Sequence, residues 1–141
     1  MATKSLSCPP IAADNKKRLT VDALDLDSLI EQVSGPDKGA VVTFSGNVRE
    51  CENGKPIRGI FYEAYKAMAE IELARLIREA EHRWIVTIEV AHKTGFVAVG
   101  EASLLVACGG PHRRETFEAC SFVVEAIKQH VPIWKVNYEW K

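Results

Sequence analysis

Two segments of the chain repeat apolar residues at the three- and four-residue spacing of an amphipathic helix. The first runs from residue 66 to about residue 82, and its apolar positions are Met68, Leu73, Leu76, Ile77, Ala80 and Trp84. The second runs from about residue 114 to 129, and its apolar positions are Phe117, Cys120, Val124 and Ile127. This spacing places apolar side chains on one face of a helix, so we predict two long helices that pack on a core.

A shorter helix and several strands are predicted around these two helices. Apolar residues recur at helical spacing from Leu26 to Val33, and Gly35-Pro36 follows, as is usual just past a helix end. Residues 40–48 are predicted to form a buried strand, because they are rich in β-branched and aromatic residues. Further strands are predicted in WIVTIEVAHKTG and EASLLVACGG, joined through FVAVGE, while PIWKVNYEW is a short strand or an extended tail.

The dipeptide Asn53-Gly54 marks a β-hairpin, because both residues tolerate a positive φ. It lies between strand 40–48 and the stretch IRGIFYEAY, so we expect those two strands to pair antiparallel. Runs of strands with two long helices, and no strict alternation of strand and helix, are typical of the α+β class. We therefore predict a single α+β domain, with a mostly antiparallel sheet and two long helices packed on it.

Residues 1–17 differ from residues 18–141 in polarity and in apolar periodicity. The first stretch, MATKSLSCPPIAADNKK, is polar, carries a proline pair and has no periodicity, so we predict a flexible amino-terminal arm followed by one α+β domain. The length of 141 residues suits one hydrophobic core. No apolar run approaches the roughly 18 residues that span a bilayer, and no signal-peptide block is present, so a cytoplasmic protein without membrane contact is expected.

The charges of the chain almost cancel, since 18 Lys and Arg face 19 Asp and Glu. This balance gives no general attraction to nucleic acid, so nucleic acid is not expected as a partner. The four cysteines occur singly, without the spacing of a zinc site or a redox dithiol, so no metal is expected. Cys108 and Cys120 are expected to be buried, although Cys108, four residues before His112, leaves a catalytic Cys/His pair open.

Cations gather in the stretch from residue 109 to 135, GGPHRRETFEACSFVVEAIKQHVPIWK. The two leading glycines allow the backbone a tight curve. His112 and Arg113 then precede a predicted helix, whose free amides and positive dipole end attract a phosphate or carboxylate. Alternatively, the arginines are solvated and His112 hydrogen-bonds a carbonyl group. Lys128 lies near the helix end, where the dipole alone favours a cation.

Lys135 and Arg49 are two further candidate site residues. Lys135 follows Trp134, and an amine beside apolar surface is a better nucleophile or proton donor than one in water. The alternative is that Trp134 fills the core and Lys135 extends to solvent. Arg49 ends the first long strand, and it belongs to a site only if the fold brings it to the other cations.

Six motifs of the chain occur in the order and spacing of one family. They are GAVVTFSGNVRE, YEAY with MAE after it, AHKTG, VAVGEASLLVA, PHRRETFEAC and VPIWK, and together they cover about residues 39–135. In these motifs the chain resembles the large, catalytic subunit of molybdopterin synthase. The resemblance implies an α+β enzyme that transfers sulfur to cyclic pyranopterin monophosphate (precursor Z) and so forms the dithiolene of molybdopterin, with no cofactor or metal required.

The resemblance also implies partners. In this family a small ubiquitin-like subunit carries a thiocarboxylate on its terminal Gly-Gly, and this tail enters a pocket of the large subunit. The large subunits form a homodimer at the centre of a heterotetramer. A sulfur-carrier subunit, a second copy of the chain and a pterin phosphate are therefore the expected partners.

The functional residues of the family correspond to five cations of this chain. By the resemblance, Arg49, His112 and Arg113 are expected to hold the pterin phosphate, with help from the helix amino end. Lys128 is expected to contact the thiocarboxylate, which it polarises or by which it is acylated. Lys135 is expected to act as a general acid or to orient the pterin. The two lysine roles are interchangeable at this point.

The chain departs from the family after VPIWK. Relatives usually continue with a basic residue and a glutamate, where this chain has Val136 and Asn137, and their polar tail is longer. These departures leave open an alternative function, a catalytically weakened dimeric module that binds the pterin or the ubiquitin-like donor. A third reading is a phosphate-ester hydrolase that uses His112 and Cys108.

Overall fold

The computed structural model describes residues 16–141 of the chain. Residues 1–15 lie outside the described part, and with them Cys8 and almost all of the predicted arm at 1–17. The elements follow in the order β1 (Leu19–Thr20), α1 (Leu26–Val33), β2 (Ala40–Asn47), β3 (Cys51–Glu52), β4 (Lys55–Ala64), α2 (Lys66–Trp84), β5 (Thr87–Lys93), β6 (Gly95–Ala98), β7 (Ala102–Gly110), α3 (Arg113–His130) and β8 (Ile133–Trp140). Within residues 16–141, no helix is long and apolar enough to cross a membrane.

The first sheet has the strand order β1-β5-β7-β2 and carries helices on both faces. β1 pairs in parallel with β5, and the other pairs are antiparallel. Along β7, a central strand, side chains alternate between the two faces. Leu104, Val106 and Cys108 belong to the core formed with α2 and α3, whereas Leu105 and Ala107 cluster with α1. The sheet is therefore the middle layer of the domain.

The second sheet is built on β4, which pairs antiparallel with β3, β6 and β8. It has a separate small core of Val48, Ile57, Ile60 and Val97, against which Tyr62 and Tyr138 pack. The last strand, β8, pairs with β4 along most of its length. The stretch PIWKVNYEW is therefore a strand and not a loose tail.

The predicted α+β class and the three predicted helices are confirmed, but the strands form two sheets instead of one. The predicted pairing of strand 40–48 with the strand after Asn53-Gly54 is wrong. β2 pairs with β7, because Val42 and Phe44 on its inner face pack against the core beneath α2 and α3. Asn53-Gly54 does form a hairpin, with φ values of 51° and 77°, but it joins the two-residue β3 to β4. A further strand, β6, occupies the first half of the predicted link FVAVGE.

Gly109 and Gly110 are the last residues of β7, and neither has a positive φ. They do not form the tight curve before α3 that the sequence suggests. A Cβ atom on Gly109 would overlap the carbonyl oxygen of Val33, and one on Gly110 would overlap the hydroxyl of Thr116. The two glycines therefore let α1 and α3 approach the same strand from opposite faces.

Candidate active site

A cavity of about 460 Å³ opens where the two sheets meet the carboxyl end of α3. This volume falls in the usual range for small-molecule sites, roughly 300 to 1,000 Å³. Residues of β2, β4, β5, β7, α3 and β8 line it. The apolar part of the lining consists of Phe44, Leu104, Ile127, Ile133 and Trp134.

Three of the five predicted site residues meet in this cavity, namely Arg49, Lys128 and Lys135. Arg49 follows the end of β2, Lys128 lies in the last turn of α3, and Lys135 lies on β8. All three residues are exposed. Within residues 16–141, none of them forms an ion pair, and no carboxylate lines the cavity. Cations without a nearby counter-charge in a concave site attract an anion.

The pairing of β8 with β4 determines where Lys135 lies. Lys135 is directly opposite Tyr62, so the two side chains share one face of the sheet, and both line the cavity. The preceding Trp134 does not fill the core, because it is 40% exposed. Its ring instead packs edge-to-face on Tyr65, with the ring centroids 5.3 Å apart. Trp134 and Lys135 are therefore both residues of the cavity wall.

His112 and Arg113 lie at the opposite end of α3. They line a second groove, of about 450 Å³, together with Gly39, Pro111 and Arg114. His112 is the N-cap residue of α3, and its Nδ1 lies 3.4 Å from the Glu115 carboxylate. Sixteen residues separate positions 112 and 128, which is about 24 Å along a helix that rises 1.5 Å per residue. One chain therefore does not bring all five predicted residues to one small molecule.

Two cavity residues, His92 and Tyr62, are absent from the sequence-based set. His92 is buried on β5, and this burial lowers the pKa of its imidazole because it disfavours the charged form. Its Nδ1 lies 2.9 Å from the carbonyl oxygen of Lys93, and the Tyr62 ring meets it edge-on. The sequence does hold a signal for this residue, because a strand periodicity of two puts His92 on the same inner face as Ile88 and Val90.

The chain matches the family model described as MoaE protein over residues 19–130. The chain belongs to the MoaE family. It is 44% identical over 108 residues to the molybdopterin synthase catalytic subunit of Thermoplasma volcanium, an alignment that covers 76% of this chain and 79% of that protein. It is 39% identical over 122 residues to the molybdopterin synthase catalytic subunit 1 of Mycobacterium tuberculosis, with 86% and 83% covered.

Solved structures of a molybdopterin synthase and of a molybdopterin-converting factor share the fold. Molybdopterin synthase from Staphylococcus aureus superposes with a TM-score of 0.84 at 31% identity, over 89% of this chain and 91% of that one. A complex of subunits 1 and 2 of molybdopterin-converting factor from Helicobacter pylori contains a chain that superposes with a TM-score of 0.73 at 26% identity, over 87% and 88%. The two sheets and three helices are thus the fold of the MoaE family.

The two departures from the MoaE motif after VPIWK lie outside the cavity. Val136 and Asn137 are exposed on β8, and neither lines the cavity. Lys135 pairs with Tyr62 and Asn137 pairs with Phe61, so Val136 is an extra residue, a β-bulge, in the strand pairing. The pairing of Lys135 with Tyr62 therefore comes before the bulge.

Two of the three described cysteines, Cys108 and Cys120, are not placed for nucleophilic chemistry in this MoaE protein. Cys108 and Cys120 are buried, as predicted, and burial raises the pKa of the Cys108 thiol to about 12 and that of Cys120 to about 11. Nucleophilic attack needs the thiolate, which is scarce at neutral pH when the pKa is this high. Within residues 16–141, no group of three or more His, Cys, Asp or Glu side chains is arranged to hold a metal ion.

Proposed function

We propose that this MoaE-family protein is the catalytic subunit of a molybdopterin synthase. Sulfur passes from the C-terminal thiocarboxylate of a small ubiquitin-like partner to cyclic pyranopterin monophosphate, which gains the dithiolene of molybdopterin. Family membership supports this reaction, because the named relatives are molybdopterin synthase catalytic subunits. The observation that supports the site most directly is the meeting of Arg49, Lys128 and Lys135 in one cavity.

The positive charge of the cavity suits the anions of this reaction. The substrate brings a phosphate, the donor brings a thiocarboxylate, and attack on the acyl carbon develops an oxyanion that preorganised donors stabilise. Arg49 binds the phosphate, because a guanidinium group can donate two parallel hydrogen bonds to it. Lys128 contacts the thiocarboxylate, which it polarises or by which it is acylated. Lys135 acts as a general acid or orients the pterin.

The sulfur donor in this proposal is a separate ubiquitin-like subunit. The Helicobacter pylori structure is a complex of two subunits of molybdopterin-converting factor, which supports a two-subunit assembly here as well. A Gly-Gly tail has no side chains, so it is narrow enough to enter the cavity in an extended form. Its terminal thiocarboxylate would then lie beside Lys128 and Lys135.

A homodimer accounts for His112 and Arg113. They lie about 24 Å along α3 from Lys128 of the same chain. They reach the same substrate only if a second copy brings the amino end of its α3 to this cavity. We therefore assign His112 and Arg113 of one protomer, together with Arg49 of the other, to the pterin phosphate.

A single-turnover assay tests the proposed function. The purified protein is mixed with cyclic pyranopterin monophosphate and a thiocarboxylated Gly-Gly donor protein, and the product is oxidised to a fluorescent pterin. We expect dithiolene product. Tight donor binding without product would instead support the weakened binding module. The position of Val136 and Asn137 outside the cavity argues against that alternative.

Arg113→Ala is expected to weaken binding of the pterin phosphate about 10- to 150-fold. One hydrogen bond to a charged group contributes about 1.5 to 3 kcal/mol, and each 1.4 kcal/mol changes a dissociation constant tenfold. Titration calorimetry with the pterin phosphate measures the change. Arg75→Ala is the matched control, because Arg75 lies on α2 outside both cavities, where its guanidinium forms an ion pair with the Glu72 carboxylate at 2.8 Å. An unchanged affinity in the Arg113 variant would show that Arg113 does not bind the phosphate.

Mixed dimers reveal whether Arg113 acts within its own chain or in the partner's site. If each site is built from residues of both protomers, a dimer of one Arg113→Ala chain and one Lys135→Ala chain has one site with both defects and one intact site. Co-expression should therefore restore about one quarter of the wild-type sites, since half of random dimers are mixed. If both residues act within one chain, mixing restores nothing.

Cys108→Ser is expected to keep sulfur transfer close to the wild-type rate, because a buried thiol with a pKa of about 12 does not serve as the nucleophile. The variant should melt at a lower temperature, since a buried hydroxyl without a partner costs about 1 to 3 kcal/mol. Cys108→Ala separates this stability effect from chemistry. Loss of turnover in both folded variants would instead favour the hydrolase reading with His112.

A further inference from the structure

A histidine lies on the floor of the cavity that holds the cations. Leu104 of β7 pairs with Gly46 of β2 on one side and with His92 of β5 on the other. Residues paired directly across neighbouring strands point to the same face of a sheet. The three positions therefore form one row, and all three line the cavity.

Two contacts hold the His92 ring in one orientation. Its Nδ1 lies 2.9 Å from the carbonyl oxygen of Lys93, which can only accept, so Nδ1 carries the ring proton. The Tyr62 ring meets the imidazole edge-on, with ring centroids 5.3 Å apart. Burial lowers the pKa of the imidazole, so the neutral ring is favoured. In that form Nε2 is a bare hydrogen-bond acceptor.

The Nε2 atom has no hydrogen-bond partner in the part of the chain that the structure describes. Nε2 is not sealed from solvent, and His92 lines the cavity, so this atom is accessible from the cavity. Nε2 is therefore available to a ligand or to water in the cavity.

The other polar groups of the cavity make His92 chemically distinct. Arg49 carries five N–H donors and no acceptor, and the ammonium groups of Lys128 and Lys135 are likewise donors only. These groups stabilise negative charge but do not accept a proton while they carry their own. Among the nitrogen groups that line the cavity and titrate, a neutral histidine is the one that accepts a proton readily.

We propose that Nε2 of His92 accepts the proton of the water that releases the donor subunit, an inference that rests on the proposed sulfur transfer. Once the thiocarboxylate sulfur has bonded to the pterin carbon, donor and substrate are joined by a thioester, R–CO–S–R′. Water attacks the acyl carbon, one of its protons passes to Nε2, and the carbon–sulfur bond breaks. The proton on Nε2 then passes to the leaving sulfur, which gives R–COOH and R′–SH. The step is a hydrolysis, so no oxidant or reductant takes part.

Single-turnover reactions of His92→Gln and His92→Asn test the role of His92. The Gln amide lies near the position of Nε2 and the Asn amide near that of Nδ1, and neither group is a base at neutral pH. We expect product formation to slow about 100- to 10,000-fold, the contribution of a general base. Affinity for the donor and for the pterin phosphate should stay at the wild-type value. Intact-protein mass spectrometry should show the donor accumulating as its pterin thioester.

Accumulation of the thioester distinguishes proton transfer from a structural role. A folded His92 variant with a wild-type rate, or one that loses affinity and rate together without accumulating adduct, would overturn the inference. His82→Gln, an exposed histidine of α2 outside the cavity, is the matched control. Melting temperatures show which variants fold. Because His92→Gln and His92→Asn differ in shape, the test still holds if one of them fails to fold. A wild-type protein that yields neither product nor adduct would overturn the proposed function itself.

Discussion

Lys128→Ala and Lys135→Ala are each expected to slow molybdopterin formation at least about 100-fold, the scale of a proton donor or an oxyanion-stabilising group. A 100-fold loss corresponds to about 2.7 kcal/mol of activation free energy. Both residues are exposed in the cavity and form no ion pair within residues 16–141, so their removal should leave stability nearly unchanged. Single-turnover rates at saturating donor and pterin measure the loss, and melting temperatures check the fold.

Arginine substitutions at the same positions separate charge from chemistry. Lys128→Arg and Lys135→Arg keep the positive charge, but a guanidinium group neither attacks an acyl carbon nor gives up its proton. If the arginine variant restores the rate, the lysine acts through its positive charge. If the arginine variant is as slow as the alanine variant, the amine itself takes part in the reaction. Lys55→Ala, an exposed lysine of β4 outside the cavity, should keep the wild-type rate. Wild-type rates in both alanine variants would remove the two lysines from the proposed site.

Gly109→Ala is expected to lower the free energy of unfolding by about 3 kcal/mol or more. The new methyl group would overlap the carbonyl oxygen of Val33, a backbone atom at the end of α1 that cannot rotate away. α1 must then move off the sheet, which uncovers Leu29 and Leu105. Overpacking costs about 1 to 3 kcal/mol, and each uncovered Leu costs about 1.5 to 3 kcal/mol. Thermal unfolding should show a melting temperature lower by about 10 °C.

Gly35→Ala is the matched control for this stability measurement. A Cβ atom at Gly35 lies 3.1 Å from Asp37 Oδ1, which belongs to an exposed side chain that can rotate away. The same substitution should therefore change stability by less than about 1 kcal/mol, with a small gain from the less flexible unfolded chain. If Gly109→Ala melted within a degree of the wild type, close contact at Gly109 would not determine the position of α1.

The helices of this protein are predictable because their signals are local. Apolar spacings of three and four residues locate α2 and α3, and Gly35-Pro36 marks the end of α1. Strand pairing depends on distant parts of the chain. The Asn53-Gly54 signal is correct for a hairpin, yet it does not show that the hairpin starts from the two-residue β3. Only the packing of Phe44 under the helices places β2 beside β7.

The candidate site is predictable only in part, for similar reasons. Residue type and motif identify the cations, but not which of them meet. The separation of His112 from Lys128 follows from the length of the predicted helix, so it could have been deduced from the sequence. Strand periodicity puts His92 on an inner face, but it does not show that His92 meets the cations, because the row that it shares with Leu104 and Gly46 exists only after three strands have paired.

The bulge at Val136 has a consequence for how this protein can diverge. In a regular strand, gaining or losing one residue moves every later side chain to the other face. Lys135 pairs with Tyr62 before the bulge, so changes further along the chain do not alter where its amine lies. Val136 can even be deleted while Asn137 stays opposite Phe61. The stretch after the bulge can therefore change without moving the cavity lysine, as long as Tyr138 still packs on the small core.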